Sequence, residues 1–113
     1  MAKFREGFYA FYYTGKAGSG VILMCLANGR LVGADQIGGQ ITGVYQVKKG
    51  VVKADVSFRF APGSLVTGQV LLEPTTVSVP LSLPIAIFMG EVAKVDIGMG
   101  PVNARAVFVS DPL

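Results

Sequence analysis

Residues 51–60 alternate between apolar and polar side chains, and this alternation constrains the fold more than any other feature of the chain. The residues on one side of the stretch are Val52, Ala54, Val56, Phe58 and Phe60. Those on the other side are Lys53, Asp55, Ser57 and Arg59. Successive side chains of a β-strand point to opposite faces, so this period of two predicts a strand with one buried and one solvated face. Such strands are typical of antiparallel sheets that cover a core on one side.

The remainder of the chain consists of short apolar runs separated by its 15 glycines and six prolines. No window shows a sustained helical period, and runs of this length and spacing predict strands. Asn28-Gly29 is the strongest hairpin signal, because both residues tolerate the positive φ of a type I′ turn. Residues 85–89 leave a single helical turn open as an alternative to a strand. The predicted strands are residues 7–14, 20–26, 30–34, 41–47, 51–60, 64–73, 76–83, 85–97 and 102–110.

Eight or nine short strands joined by tight turns predict an all-β domain, a small antiparallel up-and-down barrel of about eight strands. Closure into a barrel is favoured because it removes exposed strand edges. A length of 113 residues corresponds to a single domain, residues 1–113. Pro80 lacks a backbone donor, so residues 76–83 are predicted to be an edge, a bulge or the barrel seam. A barrel of this size either fills its interior with side chains or holds one small ligand.

The apolar runs are too short for a membrane-spanning helix. The longest, residues 21–27 and 85–89, fall well below the roughly 20 residues that a helix needs to cross a bilayer. Residues 1–7 show neither the apolar region nor the cleavage site of an export signal. The one cysteine, Cys25, lies in an apolar run and agrees with a reducing compartment. We therefore expect a cytoplasmic protein that does not enter the membrane.

The residue types that carry most catalytic and metal chemistry are scarce in this sequence. The chain has no histidine, which excludes Ser-His-Asp and Cys-His catalysis in their usual forms. One cysteine cannot form a zinc-thiolate site, and the seven acidic residues lack the spacing of a calcium loop. We expect no enzyme activity, no metal and no cofactor. Nucleic-acid binding is disfavoured too, because Lys48, Lys49 and Lys53 form the only basic cluster and it fits a solvated turn.

The first two predicted strands are apolar on both faces. Hydrophobic residues make up 51% of the chain and charged residues 15%, where about 25% charged is usual, so the excess needs either an interface or a cavity. Only one face of each strand can line the core, and exposed aromatic residues and methionine are typical of protein interfaces. We expect a homodimer through these two strands. The candidate interface residues are Tyr9, Phe11, Tyr13, Ile22 and Met24.

Several motifs in the first half resemble one protein family. They are the strand start Gly7-Phe8-Tyr9, the Asn28-Gly29 turn, the segment Gly33-Ala34-Asp35 and the strand residues Thr42-Gly43-Val44-Tyr45. This series resembles that of the GrlR-like proteins, bacterial negative regulators of type III secretion with a lipocalin-like barrel. The resemblance covers residues 7–60. The chain has Gly-Ala-Asp for the family's Gly-Gly-Asp, and Ile41 takes the place of the family's first tyrosine.

The resemblance implies a cytoplasmic, dimeric, non-enzymatic barrel that binds a transcriptional activator. Family members carry an acidic run in the turn after the tyrosine-containing strand, whereas this chain has Lys48-Lys49-Gly50 there. We therefore expect Lys48 and Lys49 to contact a partner with an acidic surface, or recognition to use another surface. The alternative function is a lipocalin-like binder of a small apolar ligand, in which the apolar excess lines a cavity.

Overall fold

The computed structural model describes residues 4–16, 18–36, 38–60, 65–66, 69–70, 75–97 and 100–112. The strands are β1 (Gly7–Gly15), β2 (Gly18–Ala27), β3 (Arg30–Asp35), β4 (Gln40–Lys48), β5 (Val51–Phe60), β6 (Leu65–Val66), β7 (Gln69–Val70), β8 (Thr75–Pro84), β9 (Ala93–Asp96) and β10 (Pro101–Ser110). A 3₁₀ helix, Ile85–Met89, connects β8 to β9. Within the described residues, no helix is long and apolar enough to cross a membrane.

Eight of these strands form one antiparallel sheet in the order β8-β5-β4-β3-β2-β1-β10-β9, which curls into a nearly closed barrel. Neighbours in the sheet follow one another along the chain with two exceptions: β8 pairs with β5 after the separate β6–β7 pair, and β10 returns to pair with β1. The seam lies between β8 and β9. The all-β up-and-down barrel predicted from the sequence is therefore confirmed.

Two hairpin turns have the same backbone geometry. Asn28 and Gly29 have φ of 53° and 78° and join β2 to β3, as the sequence predicts. Lys49 and Gly50 have φ of 51° and 75° and join β4 to β5. Positive φ at both central residues is the type I′ pattern, whose twist matches that of the flanking strands.

Two predicted strands differ from the structure. Residues 85–97 form the 3₁₀ helix and the short strand β9, so the helical-turn alternative is the one observed. The helix turns Ile85, Ile87 and Phe88 into the barrel. Residues 64–73 are not one strand, because β6 and β7 pair with each other as a hairpin, and the rest of that prediction lies outside the described residues. Pro80 lies on β8, which pairs with β5 and stands at the seam, as predicted.

The barrel interior is filled by side chains of complementary size. Phe11 and Tyr13 of β1 lie opposite the small residues Ala106 and Ala104 of β10. The Tyr13 ring also covers Gly20 of β2, where any side chain would collide with it. Large side chains placed against small ones give the dense packing that a small core requires. Among the described residues, the buried members of this core are Tyr9, Phe11, Ile22, Met24, Leu26, Leu31, Ile41, Tyr45, Val52, Ala54, Val56, Phe58, Leu81, Leu83, Ile85, Ile87, Phe88, Val95, Ile97, Val102, Ala104 and Ala106.

An aromatic cluster closes one end of the barrel. The Phe88 ring of the 3₁₀ helix lies 5.1 Å from the rings of both Phe4 and Tyr9, in edge-to-face contact. Phe4 also contacts Tyr45, and Tyr9 contacts Phe108. Edge-to-face pairs add stability beyond the area they bury. The segment before β1 and the 3₁₀ helix together therefore form a lid packed onto the core.

Candidate functional site

The structure places the residues predicted for an interface mainly inside the barrel. Tyr9, Phe11, Ile22 and Met24 belong to the buried core, and Tyr13 is half-buried and packs against it. Tyr9 pairs with Met24 and Phe11 with Ile22 across β1 and β2, so all four lie on the concave side of the sheet. The orientation is the reverse of the one expected from the sequence. An interface through these two strands has to use their opposite face.

The buried tyrosine hydroxyls serve the packing of the barrel. The Tyr9 hydroxyl donates to the carbonyl oxygen of Arg5, and burial raises the pKa of Tyr9. Burial and the nearby Asp35 carboxylate raise the pKa of Tyr13. The Tyr45 hydroxyl donates to Glu6 over 2.9 Å, and burial together with that carboxylate raises the pKa of Tyr45 to about 12. All three phenols therefore stay protonated at neutral pH, and those of Tyr9 and Tyr45 donate hydrogen bonds.

The middle of the outward side of β10, β1, β2 and β3 is apolar across all four strands, and we call it the apolar outer face. Val107, Ala10, Leu23 and Ala34 are successive partners across its middle. Leu23 is 60% exposed, whereas Ala10 beside it is 7% exposed, so a projecting side chain adjoins a hollow. The residues of the apolar outer face are Phe8, Ala10, Tyr12, Val21, Leu23, Cys25, Val32, Ala34 and Val107.

A groove of about 380 Å³ continues the apolar outer face toward the barrel end where β1 turns into β2. Tyr12, Val21 and Val92 line it together with Gln36 and Arg105. The Arg105 guanidinium lies 5.8 Å from the centre of the Tyr12 ring, a distance at which a cation attracts an aromatic face. The groove therefore combines apolar walls with one cation, and we call it the Tyr12 groove.

The outward side of β4, β5 and β8 is polar, in contrast to the apolar outer face. Lys53, Asp55 and Arg59 of β5 are exposed there. Lys48 and Lys49, the predicted partner-recognition residues, are exposed at the turn between β4 and β5. They lie outside the apolar outer face, because the turn joins β4 and β5, which follow β3 in the sheet and are not part of that face. The predicted turn and the apolar outer face therefore lie on different strands of the sheet.

Sequence reasoning missed that Leu23 and Tyr12 are exposed and that Ala10 faces outward between them. One signal that points to them is the pair of alanines, Ala104 and Ala106, at alternate positions of the last strand. Because these two leave room for Phe11 and Tyr13, they indicate which side of β1 faces the interior.

The described residues contain no group of three or more histidine, cysteine, aspartate or glutamate side chains that could hold a metal ion. A second cavity, of about 210 Å³, lies at the aromatic lid and is lined by residues such as Phe4, Phe88 and Met89. Comparisons of the chain with protein-family models, curated proteins and solved structures gave no match.

Proposed function

We propose that this barrel is a non-catalytic protein-interaction module whose binding surface is the apolar outer face with the Tyr12 groove. The observation that carries the proposal is the continuous row of apolar partners across four strands, with Leu23 projecting beside the hollow at Ala10. Contiguous exposed apolar surface on a small protein is typical of an interaction site. Tyr12 and Arg105 in the adjoining groove are residue types that dominate the energetics of such sites.

A protein partner fits this surface better than nucleic acid or a membrane. Nucleic-acid binding depends on several cations that neutralise phosphates, and Arg105 is the cation that lines the groove in the described part of the chain. The apolar outer face is also pleated, with Leu23 above its surroundings and Ala10 below them. Relief of this kind is complementary to fixed side chains of a folded partner, and interfaces of that type pack as densely as protein interiors.

Binding of a small apolar ligand inside the barrel receives less support. Ligand pockets commonly measure about 300–1,000 Å³. The cavity at the aromatic lid has about 210 Å³, and the larger groove lies on the outside of the sheet. The barrel interior is filled by large side chains that pack against small ones, such as Phe11 against Ala106. We expect a fluorescent fatty-acid analogue to show no displaceable binding at micromolar protein.

The regulatory role implied by the resemblance to GrlR-like proteins, capture of a transcriptional activator, stays a prediction. Exposure of Lys48 and Lys49 at a hairpin turn supports their use as a contact for an acidic surface. If the turn contributes, the double substitution of both lysines by glutamate weakens partner capture while the unfolding free energy stays within about 0.5 kcal/mol of wild type. Unchanged capture would remove the turn from the binding site.

Site-directed photocrosslinking tests the proposed function. A benzophenone amino acid replaces Leu23 in one variant and Val44, an outward residue of β4, in the other. The two side chains are matched, at 60% and 58% exposed, but Val44 pairs with Arg30 and Asp55 outside the apolar outer face. We expect protein adducts in cells from position 23 and none from position 44. Equal yields from both positions would contradict the proposal.

A further inference from the structure

We infer that the occupant of the apolar outer face is a second copy of this chain, related by a two-fold axis that runs along the strands between β1 and β2. The inference rests on the proposed function and names the partner for the same surface. It follows from the row-by-row distribution of large and small side chains on either side of that axis.

The middle row of the face is self-complementary under this rotation. The row reads Val107, Ala10, Leu23, Ala34 from β10 to β3. A two-fold axis between β1 and β2 places β1 of one copy opposite β2 of the other. Leu23 of each copy then enters the hollow above Ala10 of the second copy. Val107 likewise faces Ala34, so each large side chain in the row meets a small one.

The neighbouring rows follow the same rule. On one side, Phe8 pairs with Cys25 within the sheet, so the phenylalanine of one copy faces the smaller cysteine of the other. On the other side, Tyr12 pairs with Val21, so the tyrosine ring faces a valine. Interdigitated side chains of this kind form the core between two sheets that pack about 10 Å apart.

An axis perpendicular to the strands through the middle row would produce a different set of contacts. Leu23 would meet Leu23, while Ala10 would meet Ala10. Two projecting leucines would hold the sheets apart and leave a void between the alanines, which costs stability at any packed interface. The distribution of side-chain sizes therefore selects the axis along the strands.

The charges near the face are compatible with this arrangement. Arg105 of β10 pairs with Tyr12 of β1. On the far side of β2, the backbone N–H of Gln36 donates to the carbonyl oxygen of Val21. The rotation therefore brings the Arg105 guanidinium of one copy to the amide of Gln36 of the other, which offers an acceptor oxygen. The two Arg105 side chains lie about three strand spacings apart, roughly 14 Å, beyond the screening distance of about 8 Å at physiological salt.

The face is small for a permanent dimer. Four strands about 4.8 Å apart and seven residues of about 3.4 Å each give a projected area of about 450 Å². Specific interfaces bury about 800 Å² per partner, and projecting side chains raise the accessible area above the projected one. The polar side of the barrel, with Lys48, Lys49 and Lys53, stays outside this interface. We therefore expect a reversible dimer with a dissociation constant in the micromolar range.

Sedimentation velocity over a micromolar concentration series tests the inference with four variants. Leu23→Glu places a charge in the hollow of the second copy, and Ala10→Leu fills that hollow, so each is expected to weaken dimerisation at least about tenfold. Leu23→Ala with Ala10→Leu exchanges the large and small positions, and the two-fold axis along the strands predicts that dimerisation returns. Val44→Glu, on the polar side, is the matched control and leaves the dimer unchanged.

Cys25 provides an independent readout. It is a half-buried free thiol on the apolar outer face and would face Phe8 of the second copy. Its alkylation by iodoacetamide is expected to slow as the wild-type concentration rises, and to stay constant in the Leu23→Glu variant. Circular dichroism confirms that each variant is folded.

A wild-type protein that stays monomeric up to high micromolar concentration would overturn the inference. If position 23 still crosslinks to other proteins in that case, the proposed function stands with a different partner. A dimer that Leu23→Glu leaves intact would remove the apolar outer face from the interface and contradict the inference directly. Ala10→Leu is expected to weaken the dimer, and adding Leu23→Ala is expected to restore it. If the double variant stays monomeric, the proposed axis is wrong.

Discussion

The inner sides of strands β2 and β5 are both apolar, whereas their outer sides differ in polarity. Both lie inside the sheet, and both point a row of apolar residues into the core, such as Leu26 in β2 and Val52 in β5. On the outside, β2 presents Val21, Leu23 and Cys25. The corresponding side of β5 presents Lys53, Asp55 and Arg59. The same backbone architecture thus carries a solvated surface on one side of the barrel and an apolar one on the other.

Under the proposed function, this difference separates the residues that fold the barrel from those that bind a partner. A strand such as β5 satisfies the requirements of an antiparallel sheet with one wet face. The outer residues of β2 add nothing that the core needs, because the interior is already filled by the inward side chains. An apolar surface retained outside a complete core is the mark of a contact surface. Four predictions test this separation, in order of decreasing effect.

The largest expected effect comes from truncating the inner side of β2. Leu26 is fully buried, so Leu26→Ala removes core contacts and leaves a cavity, at a cost of about 2–5 kcal/mol in the free energy of unfolding. Leu23→Ala deletes the same atoms from the outer side and should change that free energy by less than about 0.5 kcal/mol in the monomer. Urea denaturation at low protein concentration measures both. Similar losses in the two variants would show that the apolar outer face belongs to the core.

The next effect concerns a glycine beside each of the two strands. A Cβ at Gly33 would collide with the Leu23 carbonyl oxygen and lie 3.0 Å from Met24 Cα in β2. A Cβ at Gly43 would collide with the Asp55 carbonyl oxygen and lie 2.9 Å from Val56 Cα in β5. Because backbone atoms cannot move aside cheaply, each glycine-to-alanine substitution should cost about 1–3 kcal/mol.

Thermal unfolding of the two glycine variants, with Thr42→Ala at an exposed position of β4 as a control, measures this cost. Equal losses at both glycines would show that the two strands are bent into the barrel in the same way. A loss confined to Gly43 would instead assign the tight approach to the polar side alone.

Tyr45 joins the two regions, and its removal has a smaller, pH-dependent effect. It pairs with Ala54 of β5, and its backbone N–H donates to the Gly29 carbonyl oxygen in the turn after β2. Tyr45→Phe deletes the hydroxyl that donates to Glu6 and should cost about 0.5–1.5 kcal/mol at neutral pH.

The pKa of Tyr45 determines how this contribution changes with pH. The folded-state pKa is raised from 10 to about 12, so the folded protein holds the phenol proton more tightly than the unfolded chain. The contribution of the protonated phenol is complete below pH 10 and is lost as pH rises toward 12. Urea denaturation across that window should show a steeper loss of stability in wild type than in Tyr45→Phe. Parallel curves would contradict the raised pKa of Tyr45, which burial and the Glu6 contact together produce.

The smallest effect distinguishes the two turns. Lys49 and Asn28 hold the same position of a type I′ turn, but asparagine tolerates positive φ better than lysine. Lys49→Asn is expected to raise the free energy of unfolding by roughly 0.5–1 kcal/mol, and Asn28→Lys to lower it by a similar amount. Equilibrium denaturation of both variants checks the pair. A change of the same sign in both would mean that contacts outside the turns decide their stability.

Much of the fold could be predicted because its signals are local. The alternation in residues 51–60 and the Asn28-Gly29 turn each depend on a few adjacent residues, and both appear in the structure as predicted. The sequence leaves the conformation of residues 85–89 open, because the run is short and apolar throughout. Its conformation depends on Phe88 reaching the rings of Phe4 and Tyr9, which are distant in sequence.

The candidate site could be predicted only in part. The sequence determined that β1 and β2 carry one apolar side more than a barrel wall needs, since aromatic and aliphatic residues occupy both faces. When both faces of a strand are apolar, the period of two does not indicate which face points into the core. The tertiary structure decided the choice when β10 paired with β1 and brought Ala104 and Ala106 opposite Tyr13 and Phe11. Small residues on the closing strand left space on that side alone, so the large side chains turned inward and Leu23 was left outside.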